Sequence, residues 1–418
     1  MSKQKSLGIG CFHFGVKKTP PFDFKGSDYL IELNKALSKI SSLTNLKIDT
    51  DEDFKKYEFS ITEATENLEN DEGYFPYSLI LDVEFNLYIP FRIQAEIKDT
   101  EEKYLSTFTE NFKVKIIQSY YLPVAIIETI NPTEENDPSS AVQIVREFIR
   151  RELTDDKSNY IRFECLGPSP FHCDFFIEPK KPEKDEDWLF SPEEELKKGY
   201  DSLIIYYNSD EIKDANEALE YLSSSIQDEF GFFYKCIQTR NAKMHNWQAI
   251  QENLNSLLEI QNAKGLKGIF QRFIKRPRLI GKLFTDIATF EGSDIFRSGA
   301  QQNEYRETFS VKDEIFFKIL IDKELEEKLD YPIRQTTDLI HFFESRRVKS
   351  LELITALIAA ILGGAIGAFL TISLQGGQPQ TTNSVEKPIE KTTHNSTLPK
   401  AGADSLKKVD TINKHLSK

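Results

Sequence analysis

With 418 residues, of which 39% are hydrophobic and 29% charged, the chain is long enough for one large or two ordinary domains with real cores. Its formal net charge of −14 disfavours nucleic-acid binding by the chain as a whole, although a local basic patch remains open. Phe is frequent at 31, and the four cysteines, Cys11, Cys165, Cys173 and Cys236, all precede residue 350, where reduced thiols are expected.

The N-terminus, MSKQKSLGIGCFHFGVKK, is basic and then briefly apolar. His13 and the glycines interrupt the apolar run and no small-residue cleavage site follows, so it does not read as a signal peptide. Gly8-Ile-Gly10 with Gly15 is not the dinucleotide fingerprint. Cys11 and His13 share a strand face, which is too little for a metal site. Residues 1–208 read as an α/β-type domain with a mixed sheet. Leu30–Ile40 has helical spacing, and strand signals follow at Tyr77–Ile97, Phe112–Ile130, Tyr160–Leu166, Phe171–Glu178 and Ser202–Tyr207. A helix is expected over Ser139–Glu152, capped by Ser139 or Ser140. Pro179–Gly199, charged and proline-bearing, reads as a solvated loop ending in a short helix.

The pattern changes near Asn208. From Asp214 to Asn262 apolar residues recur at spacings of three and four, predicting a long helix or helical hairpin that would run roughly 70 Å if unbroken. Residues 209–350 are thus expected to form a helical stalk. It includes a basic amphipathic segment, 264–284, with Lys264, Lys267, Arg272, Lys275, Arg276, Arg278 and Lys282 and no acidic residue. Such a segment suits an anionic membrane surface or a phosphorylated ligand, and equally a packed helix with its cations in water. Pro277 predicts a kink, Gly292–Asn303 a loop, Val311–Leu329 a helix, and Pro332 the opening of a last helix.

Leu351–Leu374 carries no charge after Glu352 and has the length needed to cross a bilayer core of roughly 30 Å as a helix. Arg346, Arg347 and Lys349 precede it and the next cation is Lys387, which places the N-terminal part in the cytoplasm and the tail, 375–418, outside an inner or plasma membrane. Thr355, Ala359, Gly363, Gly367 and Thr371 follow one another at four-residue steps. This small-residue ridge, with Gly363-x-x-x-Gly367 at its centre, predicts close packing of spans and self-association through Ala359, Gly363, Gly367 and Thr371. The tail is polar and reads as flexible.

Catalytic signals are sparse. Tyr160–Glu178 reads as a hairpin around Gly167-Pro-Ser-Pro170, with Arg162, Glu164, His172, Asp174 and Glu178 on one face. Glu164, His172 and Asp174 are the candidates for general acid–base work, against the plain alternative of an exposed sheet face. No P-loop, GxSxG, HExxH or kinase set occurs, and no cofactor or metal is predicted. The order of α/β domain, long helices and C-terminal span resembles the layout of CorA-type magnesium transporters. The Gly-Met-Asn loop and a second span are not found, so no residue or function is carried over.

The expectation is an α+β protein with a helical stalk and a single C-terminal transmembrane helix. It would be an oligomeric membrane-anchored sensor, binding or effector module, fitting a prokaryotic stress or defence role. A membrane-tethered enzyme using Glu164, His172 and Asp174 is one alternative, and an ion-conducting oligomer is the other.

Overall fold

A computed structural model of the chain describes residues 5–16, 24–58, 80–101, 107–118, 122–134, 137–153, 160–167, 169–183, 188–195, 201–309, 316–326, 330–345 and 359. The chain divides into two compact units, Met1–Arg346 and Arg347–Lys418. Apart from Ala359, the expected span Leu351–Leu374 and the tail lie outside the described residues. Among the described residues no helix is long and apolar enough to cross a membrane.

The first unit is α+β with a mixed sheet. In chain order its elements are β1 (Lys5–Val16), α1 (Gly26–Leu37), β2 (Leu43–Thr50), α2 (Glu52–Lys56), β3 (Leu81–Tyr88), α3 (Phe91–Glu101), β4 (Asn111–Gln118), β5 (Val124–Thr129), α4 (Pro138–Glu152), β6 (Ile161–Leu166), β7 (Cys173–Lys180), β8 (Phe190–Glu195), β9 (Asp201–Asn208), α5 (Ala215–Asn262), α6 (Gly265–Phe309) and α7 (Lys318–Glu326). A last helix, α8, covers 333–345. The sheet order is β2-β3-β4-β5-β1-β7-β9-β8, with β6 also on β1, and only β7–β9 among these pairs is parallel.

The organising strand is β1. Its LGIGCFHFGV run is apolar on both faces because both faces are covered. Even positions Phe12, Phe14 and Val16 join a core with Tyr29 and Leu33 of α1, Phe85 of β3 and Val142, Val145 and Ile149 of α4. Odd positions Leu7 and Ile9 join a second core with Phe175, Ile205, Leu222, Ile226 and Phe230. The two early glycines serve this packing: a Cβ on Gly8 would lie 2.7 Å from Val142 Cγ2 and 2.8 Å from the Pro138 carbonyl oxygen. The Gly-x-Gly spelling thus lets α4 approach the strand and cradles no phosphate.

The second core accounts for much of the phenylalanine. Phe230 of α5 stacks on Phe317 at 4.9 Å and meets Phe175 edge-on at 5.3 Å. Glu229, fully buried beside them, accepts the backbone N–H of Phe316 (3.1 Å) and of Phe317 (2.7 Å), and so satisfies donors just ahead of α7. This core takes residues from the sheet, α5, α6 and α7, so it crosses the division expected at residue 208. A third core lies in a helical bundle: Ile250, Leu254 and Leu257 of α5, Ile280, Leu283, Ile287 and Phe290 of α6, Ile340 and Phe343 of α8.

Several expected elements differ. The strand expected over Tyr77–Ile97 ends at Tyr88, and α3 starts just after Pro90, whose fixed φ and missing N–H suit a helix start. The strand expected around Cys11 and His13 runs the length of β1, and β2 is a strand beyond the runs expected. Within the stretch expected as loop and short helix, Phe190–Glu195 forms β8, the last strand in the sheet order, where Pro192 is tolerated because among the described residues only β9 pairs with it. Gly292–Asn303 is helix rather than loop, since its inward neighbours Ile287 and Phe290 hold α6 in register on α5. Pro277 lies inside the same helix. The helix expected over Val311–Leu329 is described as Lys318–Glu326, and residues 310–315 and 327–329 lie outside the described residues. The long helix begins where expected: the Asp214 carboxylate accepts the N–H groups of Asn216 and Glu217 at 2.9 and 3.1 Å.

Candidate functional site

The Glu164, His172 and Asp174 trio depended on a hairpin, and the chain makes none there. β6 and β7 are both antiparallel to β1, β6 along Cys11–Val16 and β7 along Lys5–Leu7, so they run in the same direction. Their registers on β1 differ by an odd number of residues (Cys11 opposite Leu166, Leu7 opposite Phe175), and an odd offset moves side chains to the other face. Glu164 therefore sits opposite His13 on the face that carries Cys11. Asp174 lies on the α4 face, where its carboxylate accepts the Ser139 N–H at 2.9 Å. This corrects the capping expectation too: Ser139 is a donor in the first turn of α4, and the acceptor comes from β7. His172 is exposed, at φ 56°, in the turn between the strands. The three expected acid–base groups thus share no site.

Around Glu164 the sheet buries a different group. Arg162 Nε is 3.2 Å from Glu164 Oε1, and His13, opposite Glu164, is buried. Burial, with the Arg162 charge in support, pushes the His13 pKa down to about 3, so the imidazole is neutral at ordinary pH. On the other face, Cys165 Sγ is 2.8 Å from Arg150 Nη2, whose Nη1 lies 2.6 Å from Glu147 Oε1. Burial raises the Cys165 pKa against the opposing pull of Arg146 and Arg150, which disfavours an activated thiolate. All four cysteines are free thiols, and Cys165 and Cys173 do not face each other across paired strands. Among the described residues no group of three or more His, Cys, Asp or Glu side chains could hold a metal ion.

The basic segment resolves into inward and outward members. Arg276 is buried, donates from Nη2 to the Phe343 carbonyl and lies over the Phe343 ring at 5.8 Å. Arg272 Nη1 donates to the Gln261 carbonyl at 3.4 Å, and Lys282 Nζ reaches Asn253 Oδ1 at 3.3 Å. Lys264, Lys275 and Arg278 are exposed, and the Lys267 side chain lies outside the described residues. α5 and α6 form an antiparallel pair, with Asn253 Nδ2 on Asp286 Oδ2 at 3.0 Å. α8 also runs antiparallel to α6: Tyr331 meets Phe290 (5.2 Å), His341 meets Phe284 (4.9 Å), and Phe343 meets Arg276. The C-terminal end of α8 therefore lies at the tip of the α5–α6 hairpin. That end exposes Phe270, Phe273 and Ile274 of α6 and Phe342 of α8.

A separate open groove of 720 Å³ lies between α1 and the edge strand β2, where Lys35, Lys39 and Lys55 surround Asp49. Lys35 and Lys55 are paired with Glu32 and Glu52 at 3.2 and 2.6 Å, so the groove is no concentrated anion site. The small-residue ridge, beyond Ala359, lies outside the described residues. Sequence reasoning missed Arg276 as an internal strut. Its signal was its spacing, since Arg276 stands four and seven residues before Ile280 and Leu283 on the inward stripe of α6. No family model, no curated protein and no solved structure matches the chain.

Proposed function

We propose that the protein is a membrane-anchored module whose α+β unit is carried by the α5–α6–α8 bundle and tethered by Leu351–Leu374 as a single span. The unit would bind or sense a cytoplasmic partner or signal and act at the bilayer. The observation that carries the reading is the end of α8. That helix is held in the bundle by Ile340, Phe343 and the Arg276 bond, and it leads within a few residues to an uncharged stretch of bilayer length. Arg346, Arg347 and Lys349 fall between the two and favour a cytoplasmic face for the bundle. Self-association through the small-residue ridge belongs to the same reading. The scattering of Glu164, His172 and Asp174 over different surroundings favours a non-enzymatic module over the tethered enzyme.

The test is fractionation of the full chain. It is expected to stay in the membrane pellet at alkaline pH, and replacement of Leu351–Leu374 by a polar linker is expected to make it extractable. A full chain that alkaline carbonate strips from membranes would overturn the proposal.

A further inference from the structure

We infer that the tip of the α5–α6 hairpin is a second membrane-contact surface, which inserts Phe270, Phe273 and Ile274 among the lipids of an anionic bilayer face. The surface is unusual for a packed helix. Phe270 is 63% exposed, Phe273 46% and Ile274 41%, and Phe342 on the adjacent α8 is 47% exposed. The i, i+3, i+4 spacing puts the three α6 residues on one face. The inward side of the helix is already filled by Arg276, Ile280, Leu283 and Ile287. Lys264, Lys275 and Arg278 are exposed around them, and no acidic residue occurs from Lys264 to Thr285.

Apolar side chains ringed by cations complement an interface of acyl chains beneath anionic headgroups. Position selects this occupant over a second copy of the chain. Ser345, the last described residue of α8, lies at the same end of the bundle, and the six steps to Leu351 reach at most roughly 20 Å even when extended. The tip is thus held close to where the chain would enter the bilayer. Two copies anchored in one membrane would meet there cation against cation. The inference rests on the anchoring proposal, and it adds that the bundle touches the membrane instead of standing off it.

The test uses the full chain carrying Phe273→Trp, which keeps an aromatic side chain at a position that is 46% exposed. The protein is reconstituted into phosphatidylcholine vesicles, with or without phosphatidylglycerol, that carry brominated acyl chains. The unsubstituted chain, with Trp188 and Trp247, sets the background. The added indole is expected to be quenched in the anionic vesicles. That quenching should be lost on adding Lys275→Glu and Arg278→Glu, and weaker in phosphatidylcholine alone. Alkaline extraction of the same samples reports the span separately. Carbonate-resistant protein with no quenching overturns the tip contact and leaves the anchor. Extractable protein that is still quenched overturns the anchor and leaves the tip as the attachment. Extractable and unquenched protein overturns both.

Discussion

At the scale of single residues the protein places charge where it is costly and then pairs it. Glu229, Asp174 and Arg276 are buried, and each has backbone partners close to a helix end or an interhelical seam, which removes much of the desolvation penalty. His13 is handled differently, by remaining neutral. Its folded pKa, about 3, lies below the roughly 6.5 of an unfolded histidine. The unfolded chain therefore binds the proton first as pH falls. The contribution of His13 to stability is complete above about pH 6.5 and is lost progressively as pH falls toward 3, with a slope of at most about 1.4 kcal/mol per pH unit. Arg162 adds to the cost of protonation, and Glu164, opposite His13, is already occupied by that guanidinium. His13→Gln should flatten this part of the profile. Denaturant unfolding of both proteins at a series of pH values between 4 and 7 checks it, and equal slopes would refute the assignment.

At the scale of elements, legibility followed how far each element depends on distant partners. α5 could be read from its own sequence because its inward residues repeat at helical spacing and Asp214 caps it locally. The relation of β6 to β7 could not, since the turn between them looks like a hairpin turn. Only pairing of both strands with β1, at registers of opposite parity, shows that the chain runs on. That parity separated the candidate acid–base residues. β8 was hidden by its glutamates, and Gly292–Asn303 by residues that in isolation favour turns. The last case yields a measurement. A Cβ on Gly292 would meet no heavy atom within 4 Å, and the residue lies inside a continuous helix. Gly292→Ala should therefore stabilise the protein by about 0.5–1 kcal/mol through helix propensity alone. Thermal or denaturant unfolding reads the change. A loss of stability would mean that another helix packs against this face in the assembled protein.

At the scale of the whole molecule, α5 ties the parts together, because its N-terminal half completes the second core of the sheet and its C-terminal half helps to form the bundle core. Phe230, against the sheet, and Leu254 and Leu257, in the bundle core, thus lie on one helix, which offers a path to α8, the helix that leads toward the proposed span. Such a path is useful for signalling only if the two ends report to each other, and in the proposed reading the small-residue ridge is where copies would meet. Gly363→Ile and Gly367→Ile put branched side chains on that ridge and should push spans apart. Losing packing on the order of 1.4 kcal/mol weakens association about tenfold. Both positions belong to the second compact unit, Arg347–Lys418, so unfolding of the α+β unit should be unchanged while the oligomer distribution in detergent shifts toward monomer. Sedimentation of the two variants beside the parent protein decides the point. A parent that is monomeric, or an oligomer indifferent to both substitutions, would place any association in the bundle instead of the span.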